Sequence, residues 1–204
     1  MEGSGHLVLG VSGASGTRLA LRALALFTAS PTVEALHVVV SPRALLVARS
    51  EVDEEIATVG DLVDAAELPA PARAKVVVHA EGAVDAPISS GSFRTRGMAV
   101  VPCSAGTLAA IATGTSRGLL QRAADVCLKE RRRLVLGLRE TPFSEIHAEN
   151  ILRVTRAGAI VAPPIPAFYA VRTLEQAVDA WLLRVADLLG LDVPTADFRW
   201  KGPA

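Results

Sequence analysis

Six short aliphatic runs punctuate the chain: "HLVLGV" at 6–11, "ALHVVV" at 35–40, "AKVVVH" at 74–79, "GMAVVP" at 97–102, "RLVLGL" at 133–138 and "GAIVAP" at 158–163. Each is apolar at successive rather than alternate positions, as in a strand covered on both faces of a parallel sheet. Between the runs, apolar residues recur at helical spacing and predict helices near 15–29, 42–50, 104–114, 117–130, 144–156 and 173–189. Thr173 is placed as the N-cap of the last helix and Gly190 as the residue that stops it. Around 58–74 the pattern gives a short helix and a Pro/Ala-rich connection, too short and apolar for a domain linker. The alternation of strand and helix predicts one α/β domain over 1–204. Its fold is a doubly wound, Rossmann-like (flavodoxin-like) parallel sheet with helices on both faces and right-handed crossovers. Residues 1–5 read as a flexible start and 193–204 as an irregular tail.

Composition narrows the function. Half of the 204 residues are hydrophobic, enough for a substantial core. Lys plus Arg and Asp plus Glu number 21 each, so no electrostatic pull toward nucleic acid or an anionic membrane is expected. A neutral, apolar chain points to a homo-oligomer. Every apolar run is interrupted well short of the about 18 residues that a membrane span needs. The N-terminus lacks the marks of a signal peptide, and Cys103 and Cys127 read as reduced thiols of a cytoplasmic protein. The four histidines are scattered along the sequence, and no metal site is expected.

In an open parallel sheet, ligands gather beyond the carboxyl ends of the strands. The runs lead into "SGASG", "SPR", "PCSAGT", "RETPFS" and "PPIPAFY", an anion-binding rim with acid/base groups. The first turn has Ser12 where a dinucleotide fingerprint needs its second glycine, and no lysine precedes Lys75, so triphosphate chemistry is not expected. Its free N–H groups, with the Ser12 and Ser15 hydroxyls, suit a monophosphate; a tight turn with Ser15 as helix cap is the competing reading. "PCSAGT" repeats the design, again with capping by Ser104 as the alternative. "SSGS" at 89–92 is a third, weaker candidate. Arg122 and Lys129 fall on one helix face with Asp125 between them, which an intrahelical salt bridge would also explain. Arg131, Arg132 and Arg133 read as a solvated helix end. Arg139 could fork onto a phosphate and Glu140 could move a proton, or the two could form an ordinary ion pair. His147 is assigned to capping or packing and Trp181 to the core.

Read together, "GVSGASG", "APISSGSF", "VVPCSAGTLAAIATG", "LLQRAADVCLKERR", "LVLGLRETPFSEIHAENI" and "GAIVAPPIPAFY" resemble the flavin prenyltransferase family, in family order, from about residue 6 to 192. That resemblance implies an enzyme that binds reduced FMN and attaches a dimethylallyl group from dimethylallyl monophosphate to flavin N5 and C6. The product, prenylated FMN, would pass to a partner UbiD-like decarboxylase acting on unsaturated or aromatic acids. The resemblance further implies metal-independent chemistry and a homododecamer whose sites are shared between subunits.

Carried over by position, the resemblance assigns FMN to Gly13, Ala14, Ser15, Ser41, Ser104, Ala105, Gly106, Thr107 and Arg139. It assigns the prenyl phosphate to Ser90, Gly91, Arg122, Lys129, Glu140, Tyr169 and Arg184. Ser15, Glu51, Lys129 and Glu140 are the implied catalytic residues. The chain departs from some relatives at Val84, where they carry an aromatic, and in "AVRTLE" after Tyr169. Two other readings stay open: an FMN-dependent cysteine decarboxylase of the same superfamily, whose essential histidine has no counterpart here, and a non-catalytic flavin-binding subunit.

Overall fold

The computed structural model describes residues 5–169 and 171–193. The predicted tail, apart from the buried Val193, and the predicted flexible start, apart from Gly5, lie outside them. All six runs form strands: β1 (His6–Val11), β2 (Ala35–Val40), β3 (Val76–His79), β4 (Gly97–Cys103), β5 (Arg133–Leu138) and β6 (Ile160–Val161). They make one sheet in the order β3-β2-β1-β4-β5-β6, every pair parallel. β6 keeps only two residues of its run, because "PPIP" follows at once and proline cannot donate to a ladder.

Helices α1 (Thr17–Ala29), α2 (Pro42–Glu51), α3 (Val59–Asp64) and α4 (Ala70–Arg73) follow the first two strands. α5 (Ala105–Ala112), α6 (Leu119–Lys129), α7 (Glu145–Ala157) and α8 (Leu174–Leu189) are the remaining α-helices among the described residues. The stretch near 58–74 holds two short helices rather than one. Leu24 and Phe27 of α1 and Leu182 and Val185 of α8 pack on Leu7, Leu9 and Ala99 on one face of the sheet. Leu108 of α5, Leu120 and Ala124 of α6 and Val154 of α7 pack on Val8, Met98 and Leu136 on the other. Coverage on both sides is why β4 is buried at every position.

The predicted ends of α8 hold. Thr173 accepts from the Gln176 amide, and Gly190 takes the left-handed conformation at φ 69°. Trp181 is core as expected: it lies over Gly137, where an added Cβ would come within 2.9 Å of its ring.

The strand order reverses between β1 and β4. Both neighbours of that switch point send a small-residue turn past the carboxyl edge, which is where doubly wound sheets bind ligands.

Candidate active site

The two turns at the switch point are tied together by Ser12. Its amide donates to Pro102 O at 3.1 Å, its hydroxyl donates to the same carbonyl at 3.0 Å, and that hydroxyl accepts from the Ser104 amide at 2.8 Å. Ser12 is 1% exposed. The expectation that its hydroxyl meets a phosphate is therefore corrected: it is spent on holding "SGASG" against "PCSAGT".

The N-terminus of α1 is also committed. Gly16 occupies the cap position at φ 116°, where a side chain would be strained, so the chain has no local capping group there. Glu51, from the end of α2, supplies one: both carboxylate oxygens lie 3.0 Å from the Gly16 amide, and Oε2 accepts from Thr17 N at 2.7 Å. This corrects the reading of Ser15 as cap and takes the Gly16 and Thr17 amides out of the free N–H groups expected for a phosphate. Burial opposes ionisation of Glu51, but hydrogen bonds from the Ser15 hydroxyl and the Thr17 and Gly16 amides outweigh it and hold the carboxyl below its ordinary range. Ser15, Glu51 and Arg139 face a cleft of about 870 Å³, whose opposite wall is built from Pro164, Leu174 and Trp181.

A second cleft, of about 690 Å³, opens on the other side of the same turn. Gly13, Ser41, Ser104, Gly106 and Thr107 line it, all chosen from sequence. Ser41 caps α2 through the Ala44 amide at 3.2 Å, and Ser104 caps α5 through the Thr107 amide at 3.2 Å, so the capping role expected as an alternative is real. A Cβ at Gly106 would meet nothing within 4 Å, which leaves the first turn of α5 open with amides that have no partner inside the helix. At Gly13 an added Cβ would come within 2.5 Å of Arg43 Cβ. Sequence reasoning missed Arg43, Glu81, Arg117 and Gln121 in this cleft. Only Arg43, inside the quoted "SPR", carried a local signal. The Gln121 Oε1 is buried without a hydrogen-bond partner. Glu81 caps α6 by accepting from the Leu120 amide at 3.3 Å, while burial pushes its carboxyl up. Ala14 and Ala105 sit inside the two turns.

The remaining predicted residues form a separate group. Arg122 donates to Ser89 O at 3.0 Å and to Asp125 at 2.7 Å, the expected salt bridge. Lys129 pairs with Glu130, not Asp125. Gly91 packs on that pair, since an added Cβ would lie 2.6 Å from Lys129 Nζ, and Ser90 precedes it. Arg132 is not a solvated helix end: it donates to Gly91 O at 2.6 Å and Phe93 O at 2.8 Å, fastening the 90–93 loop. Glu140 lies beyond the other end of β5 and accepts from its neighbour's amide, Thr141 N, at 3.0 Å rather than pairing with Arg139. Tyr169 is 71% exposed on the segment after β6, and Arg184 is exposed on the later half of α8. One chain thus brings Ser15, Glu51 and Arg139 together but keeps Lys129 apart from Glu140.

The histidines are not scattered in space. His6 Nδ1 lies 2.9 Å from His37 Nε2, and His37 Nδ1 lies 2.9 Å from His79 Nε2, a row across β1, β2 and β3. His147 caps its own helix with Ser144, as expected. No histidine lines either cleft. Among the described residues no group of His, Cys, Asp and Glu is arranged to hold a metal, and no helix is long and apolar enough to cross a membrane. Cys103 and Cys127 are buried thiols, each pushed up to about 12 by burial.

The Flavoprotein family model matches residues 1–182. The chain is 45% identical over 198 residues to a probable UbiX-like flavin prenyltransferase of Streptomyces sp. (strain D7), covering 97% of this chain and 92% of that one. It is similar in structure to AnUbiX (PadA1), solved in complex with FMN and dimethylallyl pyrophosphate, with TM-score 0.82, 41% identity and 98% of each chain covered. A dodecameric FMN-dependent UbiX-like decarboxylase from Escherichia coli O157:H7 matches with TM-score 0.83 at 40% identity, covering 97% of this chain and 100% of that one.

Proposed function

Since the chain belongs to the Flavoprotein family and, within it, to the flavin prenyltransferases, we propose that it transfers the dimethylallyl unit of dimethylallyl monophosphate to N5 and C6 of reduced FMN, releasing phosphate. The observation that carries this is the likeness, over 98% of both chains, to a protein solved with FMN and a dimethylallyl phosphoester. The residues present suit the cofactor. Two clefts adjoin along the 13–16 turn, one glycine-rich with open helix amides and an unpartnered Gln121 carbonyl, the other walled by Pro164, Leu174 and Trp181. The first suits a phosphate and ribityl chain, the second a ring system and a prenyl group.

In this reading Gly13, Ala14, Ser41 and Ser104 to Thr107 hold the phosphate-bearing end of FMN, and Ser15 and Arg139 flank its ring. The reduced flavin, when bound, supplies the electron-rich N5 and C6 that take the allylic carbon. Stacking donor and acceptor in one cleft contributes on the order of several kcal/mol by orientation alone. Ser15, hydrogen-bonded to Glu51, can move a proton at the flavin edge while Glu51 stays fixed by the α1 amides. Ser90, Gly91, Arg122 and Lys129 face a cleft of a neighbouring chain, where the cations stabilise the charge that gathers on the departing phosphate. Glu140, Tyr169 and Arg184 complete the donor site. The dodecameric relative supports this sharing. We place the enzyme in the cytoplasm, with a UbiD-like decarboxylase as recipient of prenylated FMN.

The test is anaerobic incubation with reduced FMN and dimethylallyl monophosphate or diphosphate, followed by mass spectrometry of the flavin. A flavin heavier by one five-carbon unit supports the proposal. Bound but unmodified FMN with either donor would overturn it in favour of a flavin-binding subunit without turnover.

A further inference from the structure

We infer that Arg43 and Arg117 clamp the phosphate of the flavin and thereby set the preference of this chain for FMN over unphosphorylated riboflavin; the inference rests on the flavoprotein reading above. Both arginines line the 690 Å³ cleft together with Gly13, Gly106 and the hydroxyl residues Ser41, Ser104 and Thr107. Arg43 stands in the first turn of α2, directly after Pro42, with its Cβ against the backbone of Gly13. Arg117 stands in the loop between α5 and α6, next to Gly118, the cap residue of α6.

The other polar groups of the cleft cannot neutralise a phosphate. Ser41 and Ser104 already accept amide hydrogens as caps, and each retains only its own hydroxyl proton to donate; that of Ser104 goes to Thr107 at 3.1 Å. The α2 and α5 N-termini add partial positive charge that fades within one turn. A phosphate monoester carries about −1.5 to −2 at pH 7, so full compensation needs side-chain cations. Among the described residues, Arg43 and Arg117 are the only cationic side chains lining this cleft. Among the described residues neither has a carboxylate partner, whereas Arg22, Arg73 and Arg122 do. The one acid of the cleft among the described residues, Glu81, is turned to α6, where its carboxylate sits over Gly118 and the Leu120 amide. Arginine suits the task because its planar fork meets two phosphate oxygens at once.

A second, independent mark places the polar end of the ligand here. Gln121 Oε1 is a buried acceptor with no partner in the same cleft. No described residue donates to it, and the hydroxyls of a ribityl chain between ring and phosphate are donors that would satisfy it. The ring then falls in the adjoining cleft beside Arg139, so the flavin runs along the 13–16 turn.

The experiment titrates the cofactor-free protein with FMN and with riboflavin and follows quenching of flavin fluorescence. Wild-type protein is expected to prefer FMN. Arg43→Ala and Arg117→Ala should each weaken FMN by about tenfold or more, the range for a charge-assisted hydrogen bond, and leave riboflavin unchanged. In the double variant the two affinities should converge and the salt dependence of FMN binding should flatten. Arg43→Lys and Arg117→Lys, which keep the charge and lose the fork, should recover part of the loss. An unchanged preference for FMN in a double variant that still binds both flavins would overturn the clamp and leave the flavoprotein reading standing. Wild-type protein that binds neither flavin would overturn both.

Discussion

Lys129 and Glu140 stand at opposite ends of one strand: α6 stops at Lys129, β5 runs Arg133–Leu138, and Glu140 follows. A strand of six residues spans about 20 Å, so the two side chains cannot meet on a single phosphate within one chain. A donor site that uses both must draw them from different subunits. Co-assembled Lys129→Ala and Glu140→Gln chains should therefore regain activity that neither has alone, with roughly a quarter of sites intact by random assortment in a symmetric oligomer. Activity assays on unfolded and refolded mixtures check this; mixtures as inactive as their components would place both residues in one subunit's site.

Glu140→Gln separates binding from chemistry. The variant keeps the size of the side chain and its acceptor for the Thr141 amide but cannot take a proton. FMN affinity should stay within twofold, on the order of experimental scatter in such differences, while prenylation falls by about a hundredfold or more, as for loss of a general acid or base. Flavin fluorescence and product mass spectrometry read the two properties separately, and full turnover in the variant would remove Glu140 from proton transfer.

The strands were legible because burial on both faces leaves an unbroken aliphatic run, and the Thr173 and Gly190 ends because caps are local chemistry. Roles that depend on register or on distant partners were not. His6, His37 and His79 are separated by tens of positions, and only the β1-β2-β3 pairing sets their rings in a row. Ser12 resembled a ligand-binding hydroxyl until β4 supplied Pro102 and Ser104 as its partners. Arg132 belonged to a charged run whose function is to tie carbonyls some forty residues away. The family motif placed Lys129 and Glu140 in one site, but motif order carries no information on which subunit lends each residue.

Glu51 joins stability to the site. Glu51→Ala leaves the Gly16 and Thr17 amides without their acceptor and should cost about 1 kcal/mol, as for loss of a helix cap. The carboxyl is held below its ordinary value of 4.5 in the folded chain. Its contribution is therefore complete above that pH and is lost as pH falls through the lower folded value. Denaturant unfolding from pH 7 to pH 3 should show the gap between wild type and Glu51→Gln, which cannot ionise, closing only at the acid end. A gap independent of pH would assign the effect to packing rather than to the charge.

The histidine row makes a second, less acid pH dependence. His37 is 5% exposed, and burial first, then the neighbouring His79 and His6, lower its pKa from 6.5 to about 4. His79 shifts down as well, through burial. A histidine kept neutral by the fold favours the folded state fully above pH 6.5 and loses that advantage as pH falls toward about 4, because the unfolded chain takes up the proton first. Wild-type protein should thus lose stability between pH 6.5 and 4 more steeply than His37→Gln, whose amide can donate and accept in the row but does not titrate. The variant should be the less stable protein at pH 7 and approach wild type as the medium acidifies. Parallel stability curves would mean that His37 binds its proton as readily in the folded chain as in the unfolded one.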